Sequence, residues 1–306
     1  MKRILGIIPL ILLLTAGCIS AQGYRQDNSP ASSQDYRQGN GQDYGTDLDI
    51  NYEYDYLSPY GDWVDMDPHG YVWVPRHMGY RWRPYSHGRW VWTNHGWTWI
   101  SSFEWGWVPF HYGRWGWERD LGWYWVPDTV WGPAWVAWRS GDLYFGWAPL
   151  PPGAAWRSGR IFIDDIPDYY WLFCDGRYFL DNDLRRWVLP YERNITIIRQ
   201  TMLKADIESK DNRVMNRGIE IDQIRRATRS EVETYELRDA GRPGPSRLGT
   251  REVELYRPEI RKNDQAKPRR VIDKEEAGEA LRSRSLRSDR RPALLSEGDE
   301  LKEDQR

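Results

Sequence analysis

The chain has 306 residues, of which 45 are acidic and 43 are basic, so its formal net charge is −2. Its two cysteines are Cys18, at the end of an N-terminal leader, and Cys174. This pair excludes a disulfide framework, and packing alone must hold the fold together. Acidic residues outnumber basic ones over residues 18–190, which argues against nucleic acid as a partner.

Residues 1–17 have the features of a signal peptide. Lys2 and Arg3 precede an apolar run over residues 4–14 that is too short to span a bilayer. The sequence LTAGC, which ends at Cys18, resembles the lipobox of bacterial lipoproteins. In that family the cysteine is diacylated and becomes the first mature residue, so the resemblance implies lipidation of Cys18 and attachment to a membrane.

Three residues around the cysteine bear on the expected location. Ile19 stands where enteric-type bacteria use aspartate to retain lipoproteins at the inner membrane. The resemblance therefore implies an outer-membrane lipoprotein of the cell envelope that faces the periplasm or the surface. Thr15 departs from the leucine usual in the lipobox, which leaves cleavage after Ala21 as an alternative. That cleavage would release a soluble secreted or periplasmic protein.

Residues 18–55 are predicted to form a disordered tether. Most of this segment consists of Gln, Asp, Gly, Ser and Tyr, with almost no aliphatic side chains. Such a composition cannot bury enough apolar surface to fold. A flexible segment of this kind would lift the following domain off a lipid anchor.

A tryptophan-rich repeat domain is predicted over residues 56–190, which contain all twenty tryptophans of the chain. The motifs GYVWVP, GWTWIS and GWYWVP begin at Gly70, Gly96 and Gly122, so the repeat interval is 26 residues. Alternating bulky residues flank turn-forming Asn, Asp and Gly residues in each unit, which predicts a β-hairpin. The fold class is therefore mainly β, an antiparallel meander of tryptophan-rich hairpins of about 26 residues each.

The loop lengths of two hairpins predict which tryptophans face each other. The predicted cross-strand pairs are Trp90 with Trp99, Trp92 with Trp97, Trp115 with Trp125 and Trp117 with Trp123. Residues 61–150 hold seventeen tryptophans but only twelve Leu, Ile or Val residues. Because so few aliphatic side chains cannot form a core alone, most of the indole rings must be buried.

The remaining residues are predicted to form a small α+β module, residues 191–240, and a disordered charged tail, residues 241–306. In the module, the run NITIIRQTM indicates a strand, residues 221–229 suit a short helix, and ETYEL suits a closing strand. The tail has no Trp or Phe and many charged residues, which is typical of a segment without a core of its own.

Indole rings left outside the core would form a binding platform. Flat aromatic faces on a rigid sheet suit the stacking of sugar rings. The candidate residues belong to the runs FEWGWVP and VWGPAWVAW, and they are Trp105, Trp107, Trp131, Trp135 and Trp138.

Catalytic and metal sites have less support in the sequence. The five histidines occupy turn and strand-edge positions without the spacing of a ligand set, so neither a metal nor another cofactor is expected. Cys174 lies in an apolar run and is predicted to be a core residue. Asp164, Asp165 and Asp168 could supply the two carboxylates of a glycosidase, although loop aspartates are common on protein surfaces.

Residues 80–152 resemble a family of tryptophan-rich secreted bacterial proteins of unknown function, DUF6600. The resemblance is carried by the units GRWVW, GWTWIS, WGWVPFHYGRW and VWGPAWVAWR, followed by GWAPLPP. It extends more loosely to residue 240. It implies a location in the cell envelope and supplies no catalytic residue.

These features together predict a non-enzymatic, lipid-anchored envelope protein with a binding or scaffolding role. Its expected partners are the membrane, through the N-terminal lipid, and cell-wall or surface polysaccharide, peptidoglycan or other envelope proteins. Two alternatives remain open. One is an envelope glycan hydrolase that uses Asp164, Asp165 or Asp168, and the other is a purely structural periplasmic protein without a ligand.

Overall fold

A computed structural model of the protein describes most of the chain after the predicted signal peptide and tether. The described residues are 48–79, 81–157, 160–162, 166–204, 207–210 and 213–289. All of them belong to one unit of the chain, Gln42–Arg306. Cys18 lies outside them. No helix in these ranges combines the length and the hydropathy that are needed to cross a bilayer.

Four consecutive hairpins follow a short strand and a helix, β1 (Leu48–Asp49) and α1 (Ile50–Leu57). The carboxylate of Asp49 caps α1 by accepting a hydrogen bond from the backbone N–H of Asn51 at 2.9 Å. The hairpins are β2 (Gly61–Met66) with β3 (Gly70–Pro75), β4 (Gly88–Thr93) with β5 (Gly96–Ser101), β6 (Arg114–Glu118) with β7 (Gly122–Val126), and β8 (Val136–Ser140) with β9 (Tyr144–Pro149).

Shorter elements make up the rest of the described chain. They are β10 (Ala155–Arg157), β11 (Arg160–Phe162), β12 (Leu172–Asp175), α2 (Asn194–Ile198), β13 (Met202–Lys204), β14 (Ile207–Lys210), β15 (Arg213–Asn216), α3 (Ile221–Thr228), β16 (Thr234–Asp239), β17 (Arg247–Leu248), β18 (Glu252–Leu255), β19 (Ile260–Arg261) and α4 (Lys274–Asp289). Short 3₁₀ turns lie at Glu104–Trp107, Asp168–Tyr170, Gly176–Tyr178, Leu184–Arg186 and Tyr191–Arg193.

The strand register inside the hairpins confirms the sequence prediction. The paired residues are Trp90 with Trp99, Trp92 with Trp97, Trp115 with Trp125 and Trp117 with Trp123. The glycine that starts the second strand of each repeat has a positive φ, 71° at Gly70, 86° at Gly96 and 73° at Gly122. Glycine adopts this conformation without steric strain, which explains why a glycine recurs at the repeat interval.

The fold is mainly β, and its hairpins do not pair with each other in chain order. Trp73 on β3 pairs with Trp125 on β7, so the first and third hairpins share the sheet β2-β3-β7-β6. The second hairpin lies in the sheet β10-β11-β14-β15-β5-β4-β16-β18-β17, and the fourth lies in the sheet β12-β9-β8-β13. The connections between the first three hairpins span residues 76–87 and 102–113, which are long enough to permit this exchange of neighbours.

The segment predicted as a separate α+β module packs on the second and fourth hairpins. β15 pairs with β5 at Asn216 and Gly96, and β16 runs parallel to β4. The side chain of Asn216 is fully buried, accepts a hydrogen bond from Trp138 Nε1 at 2.6 Å and donates one to the carbonyl of Ala134. This part of the chain therefore completes the core of the tryptophan-rich segment.

Two parts of this segment can be compared with the sequence prediction. α3 agrees with the predicted helix, and β16 includes all of the run ETYEL except its first residue, Glu233. The predicted strand over NITIIRQTM is wrong in its first half, which forms α2. Asn194, Ile197 and Thr201 are the buried residues here, and their spacing is helical. The Asn194 side-chain amide donates to the carbonyl oxygens of Asp168 and Trp171, which holds the helix in place.

Ordered elements also extend into the segments predicted as tether and tail. Residues 48–55 form β1 and most of α1. In the predicted tail, β18 pairs with β16 and buries Val253 and Leu255 completely, while Lys274 on α4 forms an ion pair with Glu118 at 2.6 Å. The low overall hydropathy of the tail hides these few core-facing residues. Residues 290–306 lie outside the described part of the chain.

The tryptophans form the core, as their number predicts. Fifteen of the twenty are buried, four are half-buried, and the side chain of Trp156 lies outside the described part. The half-buried ones are Trp92, Trp117, Trp131 and Trp187. Aromatic neighbours mostly meet edge to face or tilted, as for Trp90 and Trp99 with ring centroids 4.9 Å apart.

Hydrogen bonds from buried indole N–H groups connect the sheets to distant backbone. Seven tryptophans donate to a main-chain carbonyl: Trp63 to Tyr54, Trp73 to Leu57, Trp97 to Ile219, Trp115 to Pro109, Trp125 to Tyr112, Trp135 to His111 and Trp147 to Tyr85. Six others have no partner among the described residues: Trp82, Trp90, Trp99, Trp107, Trp131 and Trp187.

Two tryptophans on β5 offer a matched test of these bonds. Trp97 and Trp99 are both fully buried, but only Trp97 donates to a carbonyl, that of Ile219 at 2.8 Å. Replacement by phenylalanine removes the same volume at both sites. Only at residue 97 does it also leave a buried acceptor, the carbonyl of Ile219, without its partner. We expect Trp97→Phe to lower the free energy of unfolding by about 1–2 kcal/mol more than Trp99→Phe. Urea denaturation of the two variants measures the difference, and equal losses would contradict the expectation.

A buried carboxyl group makes the stability depend on pH. Glu53 on α1 is fully buried, and neither carboxyl oxygen has a hydrogen-bond partner among the described residues. Burial raises the pKa of Glu53 well above the ordinary value of 4.5, and the charge of Asp128 raises it further. The folded protein thus holds a proton on Glu53 that the unfolded chain releases. The titration of Glu53 therefore does not affect the free energy of unfolding at acidic pH. It lowers that free energy as the pH rises above about 4.5, where the unfolded chain loses the proton.

The variant Glu53→Gln removes this titration and keeps the shape of the side chain. We expect it to raise the free energy of unfolding by at least about 1 kcal/mol at pH 8 and to change it little near pH 4. Urea denaturation at both pH values measures this, with the exposed Glu259→Gln as the control. A difference from the unmodified protein that is the same at both pH values would contradict the prediction.

Candidate functional site

The structure corrects the predicted tryptophan platform, because four of its five rings lie in the core. Trp105, Trp107, Trp135 and Trp138 are at most 4% exposed. The 3₁₀ turn at Glu104–Trp107 directs the run FEWGWVP inward instead of presenting it to solvent. A ring in the core has no free face, so these four residues cannot stack on a ligand.

Trp131, the fifth predicted platform residue, is half-buried and has covered faces. Its ring stacks on the imidazole of His111 with centroids 5.8 Å apart, and the guanidinium carbon of Arg257 lies 5.3 Å from the ring centroid. Trp131 is therefore occupied by contacts within the protein itself.

The candidate catalytic residues are separated or lie outside the described chain. Cys174 is fully buried, and burial raises the pKa of its thiol far above neutrality, so the thiolate is not formed at pH 7. Asp168 is exposed at the start of a 3₁₀ turn, whereas Asp164 and Asp165 are outside the described residues. Across the ranges that the structure describes, no group of three His, Cys, Asp or Glu side chains could hold a metal ion.

An arginine-rich groove lies among the described residues. We call it the arginine groove, and its volume is about 570 Å³. Its walls come from five segments: β3 and the loop after it, the end of the β6–β7 hairpin, the 3₁₀ turn at Asp168–Tyr170, residues 185–192, and α4. The lining residues are Val74, Pro75, Met78, Gly79, Arg81, Trp82, Arg83, Ser86, His87, Trp117, Arg119, Leu121, Gly122, Trp123, Tyr169, Arg185, Val188, Leu189, Pro190, Tyr191, Glu192 and Leu281.

Four arginines and one carboxylate set the charge of this groove. Arg83 is held in place by a hydrogen bond from Nη1 to the carbonyl of Trp171. Burial lowers the pKa of Arg83 to about 10, and the charge of Glu192 partly offsets this effect, so Arg83 remains cationic at neutral pH. Arg185 contacts Asp183 at 3.3 Å. The groove therefore has an excess of positive charge.

Aromatic side chains line the same groove next to the arginines. Trp117 is half-buried and contacts Tyr169, with ring centroids 4.8 Å apart. The backbone N–H of Trp117 donates to the hydroxyl of Tyr170 at 2.9 Å, which fixes this corner. Tyr169 is 40% exposed and Tyr191 is 54% exposed, so both rings can reach a bound molecule.

Ser86 and His87 form a close pair in the groove, but their hydrogen bonds do not activate a nucleophile. The hydroxyl of Ser86 donates its one proton to the carbonyl of Arg83, and His87 Nδ1 lies 2.8 Å from the same oxygen. Nδ1 must then be the donor in that contact, so it cannot accept the hydroxyl proton as a general base. Burial and the neighbouring Arg185 lower the pKa of His87, which favours the neutral ring. These two hydrogen bonds instead orient the loop that follows β3.

The lining residues were missed by sequence reasoning because they come from five separate segments of the chain. The one local signal is the run RWRP, where Arg81 and Arg83 flank Trp82. Arg119, Arg185 and Tyr191 have no motif that connects them to this run. Only the folded chain brings them together.

Comparison with known proteins gives one match. Residues 54–154 match the model of a family described as a family of unknown function, DUF6600. No curated protein and no solved structure matches the chain. The matched residues run from α1 to the segment just after β9. They contain all four hairpins and the lining residues of the arginine groove between Val74 and Trp123. This match supports the assignment of the tryptophan-rich part of the chain to the DUF6600 family.

Proposed function

We propose that the protein is a non-catalytic, lipid-anchored component of the cell envelope that binds cell-wall or surface polysaccharide through the arginine groove. The observation that carries the proposal is the groove itself, which combines exposed aromatic rings with positive charge on one side of the sheet β2-β3-β7-β6. Binding is assigned to this groove in place of the buried tryptophans.

The size and lining of the groove support a ligand-binding role. Its volume of about 570 Å³ lies within the range of small-molecule sites, which are mostly apolar with a few convergent polar groups. Trp117 and Tyr169 supply flat rings, which suit the apolar face of a sugar. Tyr191 also lines the groove, and its ring is exposed. A saccharide unit bound in the groove would have several aromatic surfaces within the same lining.

A rigid scaffold supports the same role. Trp123 packs edge to face against Tyr170 with centroids 4.7 Å apart, and Trp82 packs in the same way against Trp115 at 5.5 Å. The groove floor is thus continuous with the tryptophan core. A floor that is ordered before binding reduces the entropy lost when a ligand is bound.

Binding to envelope material gives the direct test. We expect the mature chain without its lipid, residues 19–306, to co-sediment saturably with isolated peptidoglycan sacculi or with purified surface polysaccharide. Tyr169→Ala should weaken this binding about fivefold, because an aromatic stacking contact contributes about 1 kcal/mol. Leu143→Ala is the matched control, since Leu143 is 65% exposed and does not line the groove.

Two results would contradict the proposal. One is the absence of binding to every envelope fraction, which would favour a purely structural protein without a ligand. The other is equal loss of binding in Tyr169→Ala and Leu143→Ala, which would place the binding surface elsewhere.

The lipid anchor needs a separate test. We expect cells that express the full chain to incorporate a labelled fatty acid into the protein and to retain it in the membrane fraction. Cys18→Ala should lose the label and the membrane association, because the thiol of Cys18 is the predicted acylation site. An unlabelled protein whose first mature residue is Gln22 would instead support cleavage after Ala21.

A further inference from the structure

We infer that the arginine groove binds an acidic saccharide, a chain of sugar rings that carry carboxylate groups. This inference rests on the proposed function and names the chemical class of its ligand. It comes from the arrangement of guanidinium groups and aromatic rings within a single groove.

The charge of the groove differs from that of the surrounding chain. Four arginines line it with one carboxylate, Glu192, although acidic residues outnumber basic ones over residues 18–190. Positive charge at this place is therefore not a consequence of a basic composition. A cluster of like charges weakens the folded state, and a bound anion relieves that repulsion.

The arginines have donors available for a ligand. Within the described part of the chain, neither Arg81 nor Arg119 forms an ion pair, and both are exposed. Arg83 uses one N–H for the Trp171 carbonyl and is held in position by that bond. A guanidinium group offers a planar pair of N–H donors that matches the two oxygens of a carboxylate.

The aromatic lining favours a saccharide over other anions. Trp117, Tyr169 and Tyr191 present ring surface beside the arginines, and a small inorganic anion would leave this surface without contact. The apolar face of a sugar ring can stack on it while a carboxylate on the same ring reaches a guanidinium. The excess of acidic residues over residues 18–190 disfavours nucleic acid, whose phosphates they would repel.

A uronic acid trisaccharide and its methyl ester separate charge from shape. We expect oligogalacturonate of three residues to bind the mature chain at least tenfold more tightly than the same trisaccharide with its carboxyl groups methyl-esterified. Isothermal titration calorimetry measures both affinities. Raising sodium chloride from about 50 to about 500 mM should weaken binding of the acid and leave binding of the ester unchanged, because salt screens exposed charges.

Variants assign the effect to particular side chains. We expect Arg81→Gln/Arg119→Gln to weaken oligogalacturonate binding about tenfold and to leave the methyl ester unaffected. Tyr169→Ala should weaken both ligands. Arg242→Gln is the control, because Arg242 is exposed and does not line the groove. Near-UV circular dichroism and the thermal midpoint of each variant establish that it is folded.

The outcomes distinguish this inference from the proposed function. Equal affinity for the acid and the ester would overturn the inference and leave polysaccharide binding intact. A sulfated glycan that binds as tightly as oligogalacturonate would overturn the assignment to carboxylates only. If neither trisaccharide binds while sacculi still bind in a Tyr169-dependent manner, the ligand class is wrong. If nothing binds, the proposed function fails as well.

Discussion

Each buried indole ring brings one N–H group into the core, and seven of these groups donate to a main-chain carbonyl. The positions of these acceptors explain how the sheets are connected to the rest of the chain. A strand in a sheet has few free carbonyl groups, so the indoles reach carbonyls in the loops and helices around the sheets. Trp97 on β5 donates to Ile219, 122 residues away, and Trp147 on β9 donates to Tyr85, which is 62 residues away. The tryptophans thus fill the core and also attach the long connections to it. Apolar side chains such as leucine could do the first but not the second.

This dependence on distant acceptors explains which parts of the fold could be predicted. Hairpin register follows from local rules, because loop length and the two-residue period of a strand determine which residues face each other. The pairing of Trp90 with Trp99 was accessible for that reason. The order of the hairpins in the sheets depends on contacts that span the whole chain, such as the bond between Trp138 and Asn216, and no local pattern reveals it. In the same way, Asn194 converts a run of β-branched residues into a helix by bonding to carbonyls more than twenty residues earlier.

The candidate site was harder to anticipate than the fold. Density of tryptophan suggested a platform around Trp105 and Trp135, but dense indoles are what a core with few aliphatic residues requires. Residues that remain accessible, such as Tyr169, Tyr191 and Arg119, are ordinary loop residues in the sequence. Their chemical meaning arises only from proximity. The pair Arg81 and Arg83, on either side of Trp82, is the one local pattern that points to this site.

The arginine groove straddles the end of the segment that matches the family. Arg81, Arg83, Trp117 and Arg119 come from the matched residues, whereas Tyr169, Arg185, Tyr191 and Leu281 come from the chain that follows. Two proteins that share only the matched segment would thus have one wall of the groove in common and build the other from unrelated sequence. Ligand preference could then diverge between relatives without any change in the tryptophan core. Under the proposed function, one stable scaffold would then serve different glycans, each selected by the part of the chain that follows the matched segment.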